Sequence, residues 1–251
     1  MKSLILFDLD GTLAESKSAV DAEMSGLIRA LLQVTRIGVI SGGGWPQFLK
    51  QLLPGLQDDP ALVNLTLLPI SGAELYVRRD GWTPLYSHAF SSEERAQIIA
   101  DLEAALRDCA FDIPQVWGPQ IEDRGGQVTL SVLGQQAPIA AKLQWDPDQR
   151  KRKQLVERLS ANGVLYSAHI GGATSVDVTR PGVDKAYGVR QVSEVLGIGV
   201  EQMLFVGDAL FAGGNDFPVK ATGAATVSVR DAEETKRIIE TLLACRSGVG
   251  F

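Results

Sequence analysis

Residues 4–12 read LILFDLDGT, a short apolar run that ends in the carboxylates of Asp8 and Asp10. The run is aliphatic, brief and broken by a turn-forming glycine, which predicts a buried β-strand. In open α/β sheets, ligands bind at the carboxyl ends of the strands, so this placement favours a chemical role for the two carboxylates. The alternative is an acidic turn that leads into the next helix, with Thr12 or Ser16 as the N-cap.

Composition limits the class of protein. The chain has 251 residues, of which 45% are hydrophobic and 22% charged, enough for one or two compact domains. The net charge is −6, and the basic run at 150–153 is interpreted as the solvated start of a helix, so we expect no nucleic-acid partner. Cys109 and Cys245 lie far apart without metal-ligand spacing, and no apolar run approaches a membrane span of about 18 residues. We therefore expect no membrane partner and a cytoplasmic protein.

The order of predicted elements indicates a domain inserted into another. Strand and helix signals alternate in the first and last thirds, which predicts an α/β core with a parallel sheet, whereas the middle third has an α+β pattern. The core is assigned to residues 1–85 and 182–251, and the insertion to 86–181. Predicted helices cover 21–32, 92–107, 148–159, 187–196 and 232–245. Predicted strands cover 36–40, 65–70, 202–206 and 225–229, with a hairpin over 76–86, an alternating segment over 127–133 and strands near Val164 and Val176.

Four loops of the predicted core carry its most reactive residue types. The first holds Asp8 and Asp10, and the second is 41–44, Ser-Gly-Gly-Gly, in which a hydroxyl and backbone N–H groups could bind a phosphate. The third is Asp184-Lys185 at a helix start, and the fourth runs from Gly207-Asp208 to Asn215-Asp216. Parallel strands bring such loops to one edge of the sheet, so we expect them to meet.

Phosphoryl transfer through an aspartyl phosphate uses this set of residues. Asp8 is the candidate nucleophile, and Asp10 is the candidate general acid and base. Lys185, Ser41 and Gly42 are candidates for binding the phosphate oxygens. An ionised carboxylate repels a phosphate dianion, so we expect Mg²⁺ as cofactor. The candidate metal ligands are Asp8, Asp10, Asp208, Asn215 and Asp216. A calcium loop is excluded, because neither acidic segment has the required spacing and terminal Glu.

These motifs resemble those of the haloacid dehalogenase (HAD) superfamily of aspartate-nucleophile phosphotransferases, and they span the whole split domain. The resemblance implies a Rossmann-like core with an inserted α+β cap. More narrowly, 207–216 (GDALFAGGND) and 170–178 (IGGATSVDV) are similar to two motifs of the phosphomannomutase branch. By this resemblance, Ser175 and Asp177 would face the sugar or its distal phosphate from the cap, and Arg124 would occupy the place of an arginine that binds the distal phosphate.

The cap also departs from that branch. Its mutases carry further arginines beside the one at Arg124, and here Gln135 and Trp117 stand at two of those places. Each lost charge-assisted contact costs roughly 1.5–3 kcal/mol, which weakens the grip on a second phosphate. We therefore expect a phosphatase acting on a sugar phosphate or similar small phosphomonoester. A hexose-phosphate mutase is the alternative, and a catalytically inactive sugar-phosphate sensor ranks below both. The resemblance also makes a homodimer possible.

Overall fold

The computed structural model describes residues 2–56, 59–160 and 165–247. The chain divides into two compact units by its internal contacts. The first, called the core here, comprises Met1–Ser87 and Val183–Phe251, and the second, called the cap, comprises His88–Gly182.

The core contains a sheet of seven strands in the described residues, in the order β11-β10-β1-β2-β3-β4-β5. Its strands are β1 (Leu4–Asp8), β2 (Arg36–Ile40), β3 (Leu65–Leu68), β4 (Glu74–Arg78), β5 (Trp82–Ser87), β10 (Met203–Gly207) and β11 (Ala225–Ser228). The pairs from β11 to β3 are parallel, and β4 and β5 form an antiparallel hairpin at one edge. Central β1 is buried along its whole length, as its aliphatic run predicts.

The core helices are α1 (Ala22–Leu32), α2 (Trp45–Gln51), α3 (Leu53–Leu56), α7 (Lys185–Leu196) and α8 (Ala232–Ser247). Alternate side chains of β1 enter two different hydrophobic clusters. Ile5 and Phe7 share one with residues of α1 and α8, and Leu4 and Leu6 share the other with residues of α7. Helices therefore cover both faces of the sheet, which confirms the α/β class.

The structure excludes one alternative interpretation in the core and corrects one predicted strand end. Helix α1 is capped by Asp21, whose side chain accepts a hydrogen bond from the Met24 N–H at 2.8 Å, so neither Thr12 nor Ser16 is its N-cap. The third strand ends at Leu68 rather than residue 70, because Ile70 adopts φ = 53° and starts a 3₁₀ turn. Periodicity also failed to identify α2 and α3, which are shorter than two full turns of amphipathic pattern.

The cap has an antiparallel sheet in the order β6-β7-β9-β8. Its strands are β6 (Ile121–Asp123), β7 (Gln127–Ser131), β8 (Ser167–Ile170) and β9 (Ser175–Thr179), and its helices are α4 (Ser92–Cys109), α5 (Ile139–Trp145) and α6 (Arg150–Ser160). Val128, Leu130, Val176 and Val178 point into a hydrophobic cluster with residues of α4 and α6. The α+β prediction is confirmed, and the strand expected near Val164 falls on a residue outside those described.

The basic run at 150–153 is not simply a solvated helix start. Arg152 is 6% exposed, its Nε lies 2.8 Å from Asp146 Oδ2, and its Nη1 donates to the Gly172 carbonyl. The buried ion pair joins α6 to the end of α5, and the hydrogen bond to Gly172 joins α6 to the turn between β8 and β9. A buried partner at residue 146 could not be deduced from the run of charges.

Among the described residues, no helix combines the length and apolar character needed to cross a bilayer.

Candidate active site

The carboxyl ends of three parallel strands bring the predicted acidic and hydroxyl residues together. Asp8 is the last residue of β1 and pairs in register with Ile40, the residue before Ser41. On the other side, Phe7 pairs with Val206, so the end of β10 carries Asp208 past the same edge. Strand order therefore juxtaposes loops that are about 200 residues apart in the chain.

Three carboxylates form what we call the carboxylate cluster: Asp8, Asp208 and Asp216. Each offers an oxygen within 4.8 Å of the others. Lys185, the first residue of α7, places its Nζ 2.5 Å from Asp8 Oδ1 and 2.5 Å from Asp216 Oδ1. The lysine side chain is only 1% exposed, so it contacts the cluster rather than solvent.

The carboxylate cluster carries excess negative charge, because three carboxylates face one ammonium group. Burial raises the pKa of Asp8 to about 7; Lys185 opposes this shift, whereas Asp216 adds to it. Burial and the nearby Asp216 also raise the pKa of Asp208. Burial lowers the pKa of Lys185, but Asp8 and Asp216 together raise it above its usual value. The site therefore favours a further positive charge beyond the lysine.

Two small residues after β1 shape this cluster. The Thr12 hydroxyl donates to Asp8 Oδ2 at 3.4 Å and accepts from the Asp208 N–H at 3.1 Å. Gly11 has φ = +84°, and a Cβ there would lie 2.6 Å from Asp208 Oδ2. A side chain at Gly11 would therefore both strain the turn and displace a cluster carboxylate.

The glycine-rich loop after β2 differs in detail from the predicted phosphate nest. Ser41 is 3% exposed, and its Oγ accepts from the Gly43 N–H at 3.1 Å. None of the glycines at 42–44 adopts the left-handed conformation that an alternating nest requires. The Gly43 N–H is therefore already used within the loop, and the Ser41 hydroxyl and Gly42 remain candidates for contacting a phosphate.

The Asp10 carboxylate is not part of the carboxylate cluster. Its Oδ2 accepts from Gln47 Nε2 at 2.5 Å, and its Oδ1 accepts from the Lys17 N–H at 2.7 Å and from Gln51 Nε2 at 3.3 Å. Neither glutamine belongs to one of the motifs that indicated the site. Their i, i+4 spacing directly after the glycine-rich loop is the signal that could have found them.

Of the two neighbouring metal-ligand candidates in the fourth loop, one is buried and the other is exposed. Asp216 is fully buried, and its Oδ2 accepts from the Ala209 N–H at 3.0 Å. The neighbouring Asn215 is exposed. The structure thus joins Asp8, Asp208 and Asp216, but it does not bring the Asp10 carboxylate into that group.

One face of the cap sheet, which we call the cap polar face, consists of Thr129, Ser131, Ser175 and Asp177. In the β7–β9 register, Thr129 lies opposite Asp177 and Ser131 lies opposite Ser175. The Thr129 hydroxyl donates to Asp177 Oδ1 at 2.7 Å, and the two serine hydroxyls lie 2.8 Å apart. Burial raises the pKa of Asp177, and Arg124 opposes that shift.

The candidate distal-phosphate arginine has a carboxylate partner within the cap. Arg124 Nη2 lies 2.7 Å from Glu122 Oε2, and the arginine side chain is 19% exposed. Trp117 packs against the hydrophobic cluster of the cap, and Gln135 has a buried Nε2 without a hydrogen-bond partner among the described residues. Neither Trp117 nor Gln135 supplies a positive charge.

Comparisons of the sequence point to one family. A family model described as Eukaryotic phosphomannomutase matches residues 24–245. The Phosphomannomutase of Schizosaccharomyces pombe is 29% identical over 87% of this chain and 85% of its own. The Phosphomannomutase of Encephalitozoon cuniculi is 25% identical over 96% of this chain and 94% of its own.

Solved structures support the same fold. An N-terminally truncated IMP-nucleotidase of Plasmodium falciparum superimposes with a TM-score of 0.72 at 19% identity, covering 96% of this chain and 70% of that one. A haloacid dehalogenase-like hydrolase of Bacteroides thetaiotaomicron gives 0.62 at 18% identity, covering 96% of this chain and all of that one. With its carboxylates at the strand ends, and with a family match across most of its length, this chain is a phosphoryl-transfer enzyme of the HAD fold that belongs to the phosphomannomutase family.

Proposed function

We propose that this enzyme is a Mg²⁺-dependent phosphatase that hydrolyses a sugar phosphate or a similar small phosphomonoester through a phosphorylated Asp8. The observation that carries the choice of phosphatase is the ion pair between Arg124 and Glu122 at 2.7 Å. An arginine already paired with a carboxylate binds a second phosphate less strongly, because the carboxylate competes for the same N–H donors. A phosphatase needs one phosphate site, whereas a mutase must hold a phosphate at either end of a bisphosphate intermediate.

The carboxylate cluster fits Mg²⁺. Its hard oxygen donors are the ligands that this ion prefers, and with all three carboxylates ionised its net charge of −2 matches a divalent cation. Asp8, Asp208 and Asp216 would hold the ion, with Asn215 as a further candidate ligand. The predicted ligand Asp10 instead accepts hydrogen bonds from Lys17, Gln47 and Gln51, and we assign it to proton transfer. When bound, Mg²⁺ would neutralise charge between the phosphate and Asp8.

The remaining core residues have complementary roles in this proposal. Asp8 attacks phosphorus, and Asp10 protonates the leaving oxygen and then takes a proton from the attacking water. The ammonium group of Lys185, the Ser41 hydroxyl and the Gly42 backbone would stabilise the phosphoryl oxygens. Lys185 also holds Asp8 in place through its 2.5 Å contact.

The cap would recognise the substrate through hydrogen bonds. Serine and threonine hydroxyls both donate and accept, and the Asp177 carboxylate accepts, so the cap polar face matches the hydroxyls of a sugar. Ser175, Asp177 and Arg124 are the candidate substrate residues, and of the three Arg124 contributes least, because it is paired with Glu122. We assign this specificity role to the inserted domain, predicted at 86–181, and catalysis to the surrounding core.

Hexose-phosphate mutation is the second candidate. The family match and the relatives named phosphomannomutase favour it. In that case a sugar hydroxyl, rather than water, would attack the phosphorylated Asp8. An inactive sugar-phosphate sensor ranks third, because every core residue that phosphoryl transfer needs is present in the chain.

We further propose a cytoplasmic enzyme, an assignment supported by free thiols at both Cys109 and Cys245. A homodimer is also proposed, on the family resemblance alone.

Phosphate release from a panel of sugar monophosphates and from p-nitrophenyl phosphate, with and without Mg²⁺, tests the proposal. We expect Mg²⁺-dependent release from at least one sugar monophosphate. Absence of turnover across the panel, together with binding of a sugar phosphate by calorimetry, would support the sensor instead.

A further inference from the structure

Helix α2 directs two amide side chains at Asp10. Gln47 and Gln51 are one helical turn apart, so they share a face of the helix. Gln47 Nε2 lies 2.5 Å from Asp10 Oδ2, and Gln51 Nε2 lies 3.3 Å from Asp10 Oδ1. Gln51 Nε2 also donates to the Ser18 carbonyl at 2.8 Å, an acceptor that fixes the orientation of its amide.

Gln47 also contacts Ser41 through the other end of its amide. The Ser41 hydroxyl donates to Gln47 Oε1 at 3.4 Å, while Gln47 Nε2 donates to Asp10. A single amide thus links the candidate acid–base residue to the candidate phosphate-binding hydroxyl, whose one proton would leave Gln47 Oε1 when it is donated to a phosphate oxygen. The contact with Asp10 is lost if the amide is flipped, because the amide oxygen would then face a carboxylate oxygen, which also accepts.

The glycine-rich loop leaves space for this amide. A Cβ at Gly43 would lie 1.2 Å from Gln47 Oε1, so any side chain at Gly43 would displace the amide oxygen. The position of the Gln47 amide therefore explains why residue 43 is a glycine.

The three N–H donors restrict the Asp10 carboxyl group. A carboxylate has about four lone-pair sites, and the Lys17 N–H, Gln47 and Gln51 occupy three of them. Lys17 has φ = +62°, an uncommon conformation for a residue with a side chain, and its N–H lies 2.7 Å from Asp10 Oδ1. The orientation of the carboxyl group is thus held from two chain segments, with one site left for a transferable proton.

We propose that Gln47 is a positioning residue that orients Asp10 for proton transfer and links it to Ser41, an inference that rests on the proposed phosphatase function. In the first step, the bond from Asp8 to phosphorus forms, the bond from phosphorus to the leaving oxygen breaks, and the proton on Asp10 moves to that oxygen. In the second step, water attacks phosphorus, its proton moves to Asp10, and the Asp8 carboxylate is released. Gln47 touches no reacting atom and acts through Asp10.

A pair of substrates separates this role from general damage to the site. The alkoxide leaving group of a sugar phosphate needs a proton from Asp10, whereas p-nitrophenolate leaves as a stable anion. The parameter kcat/KM reports the steps up to phosphoenzyme formation, so it isolates the protonation of the leaving group. In Gln47→Met, we expect kcat/KM for the sugar phosphate to fall by about 10- to 100-fold. In the same variant, kcat/KM for p-nitrophenyl phosphate should change by less than about 3-fold.

Two further variants serve as controls. Gln33→Met makes the same change at an exposed glutamine of the core and should leave both substrates unaffected. Gln47→Glu keeps the size of the side chain and the acceptor for Ser41, but it places a carboxylate against Asp10. It should therefore reproduce the selective loss even if Gln47→Met is poorly folded.

A double-mutant cycle tests whether Gln47 acts through Asp10. In the Asp10→Asn background, Gln47→Met should cause less than about a 2-fold further loss in kcat/KM for the sugar phosphate. Equal losses for both substrates, or additive losses with Asp10→Asn, would overturn the inference while leaving the phosphatase proposal intact. A wild-type enzyme that hydrolyses neither substrate would instead refute the proposed function itself.

Discussion

The carboxylate cluster of the core and the cap polar face are both built from short polar side chains on sheets, yet their charge differs. The cluster gathers Asp8, Asp208 and Asp216 around one lysine and keeps excess negative charge. The cap polar face has three hydroxyls and a single carboxylate, and the nearby Arg124 is paired with Glu122. The first arrangement suits a cation and a phosphoryl group, and the second suits uncharged hydroxyls. We infer that chemistry and recognition are assigned to different parts of the chain.

The same substitution in the two regions should have very different effects. Asp8→Asn removes the nucleophile and a metal ligand, so we expect phosphate release to fall by about 10⁴-fold or more. The substitution also removes one of three carboxylates that repel each other. The thermal midpoint of unfolding, measured without Mg²⁺, should therefore not decrease. Asp177→Asn is the matched control and should keep kcat for p-nitrophenyl phosphate within about 3-fold, because the interactions of Asp177 with Thr129, Gln127, Arg124 and His169 all lie within the cap. Comparable losses in both variants would contradict the division of roles.

Removal of the metal should affect the carboxylate cluster and leave the cap polar face unchanged. Chelation with EDTA should abolish turnover, and Mg²⁺ should restore it. Mg²⁺ at about 100 times its Kd should stabilise the folded protein by about 2.7 kcal/mol, measured as a shift in the thermal midpoint. The shift should disappear in Asp216→Asn and persist in Asp177→Asn. A shift that survives in Asp216→Asn would place the metal elsewhere.

Stability should depend strongly on the lysine of the cluster. Lys185→Met leaves Asp8 and Asp216 buried without their cation, so we expect a loss of about 3–5 kcal/mol in the free energy of unfolding, measured in urea. Lys236→Met is the control. Lys236 is also buried and contacts three acids, but those carboxylates are at least 56% exposed and stay hydrated after the change. Its loss should be clearly smaller, and equal losses would contradict the importance of the buried charges at the active site.

The smallest effect is expected at Arg124. If this arginine binds no second phosphate, Arg124→Met should change KM for a hexose monophosphate by less than about 3-fold. A mutase that uses it on the distal phosphate would lose roughly 1.5–3 kcal/mol of binding, or about one to two decades. Steady-state kinetics with a hexose monophosphate and with a hexose bisphosphate separate these two outcomes.

The elements that could be predicted from the sequence are those whose local signals agree with their tertiary contacts. The strands at Leu4–Asp8 and Arg36–Ile40 combine apolar runs with burial on both faces, so pattern and packing coincide. Helix α7 begins at Lys185 with Asp184 as its N-cap, close to the predicted start. Short α2 gives too few residues for a periodic signal, and it was missed.

Side-chain partners were harder to predict than backbone elements. The motifs indicated Asp8, Lys185, Asp208 and Asp216, and the structure brings these four together because parallel strands end at one edge. They did not indicate that Asp10 is held by Gln47 or that Arg152 is buried against Asp146. Such contacts depend on the direction of each side chain in the folded protein, which spacing along the chain does not encode.

The fate of the phosphoryl group distinguishes hydrolysis from mutation. A hexose 1-phosphate should be incubated with the enzyme, Mg²⁺ and a hexose bisphosphate activator, and the products followed by ³¹P NMR. We predict that inorganic phosphate accumulates, because water attacks the phosphorylated Asp8 and the cap does not retain a second phosphate. Accumulation of the hexose 6-phosphate without inorganic phosphate would contradict the account and establish the mutase.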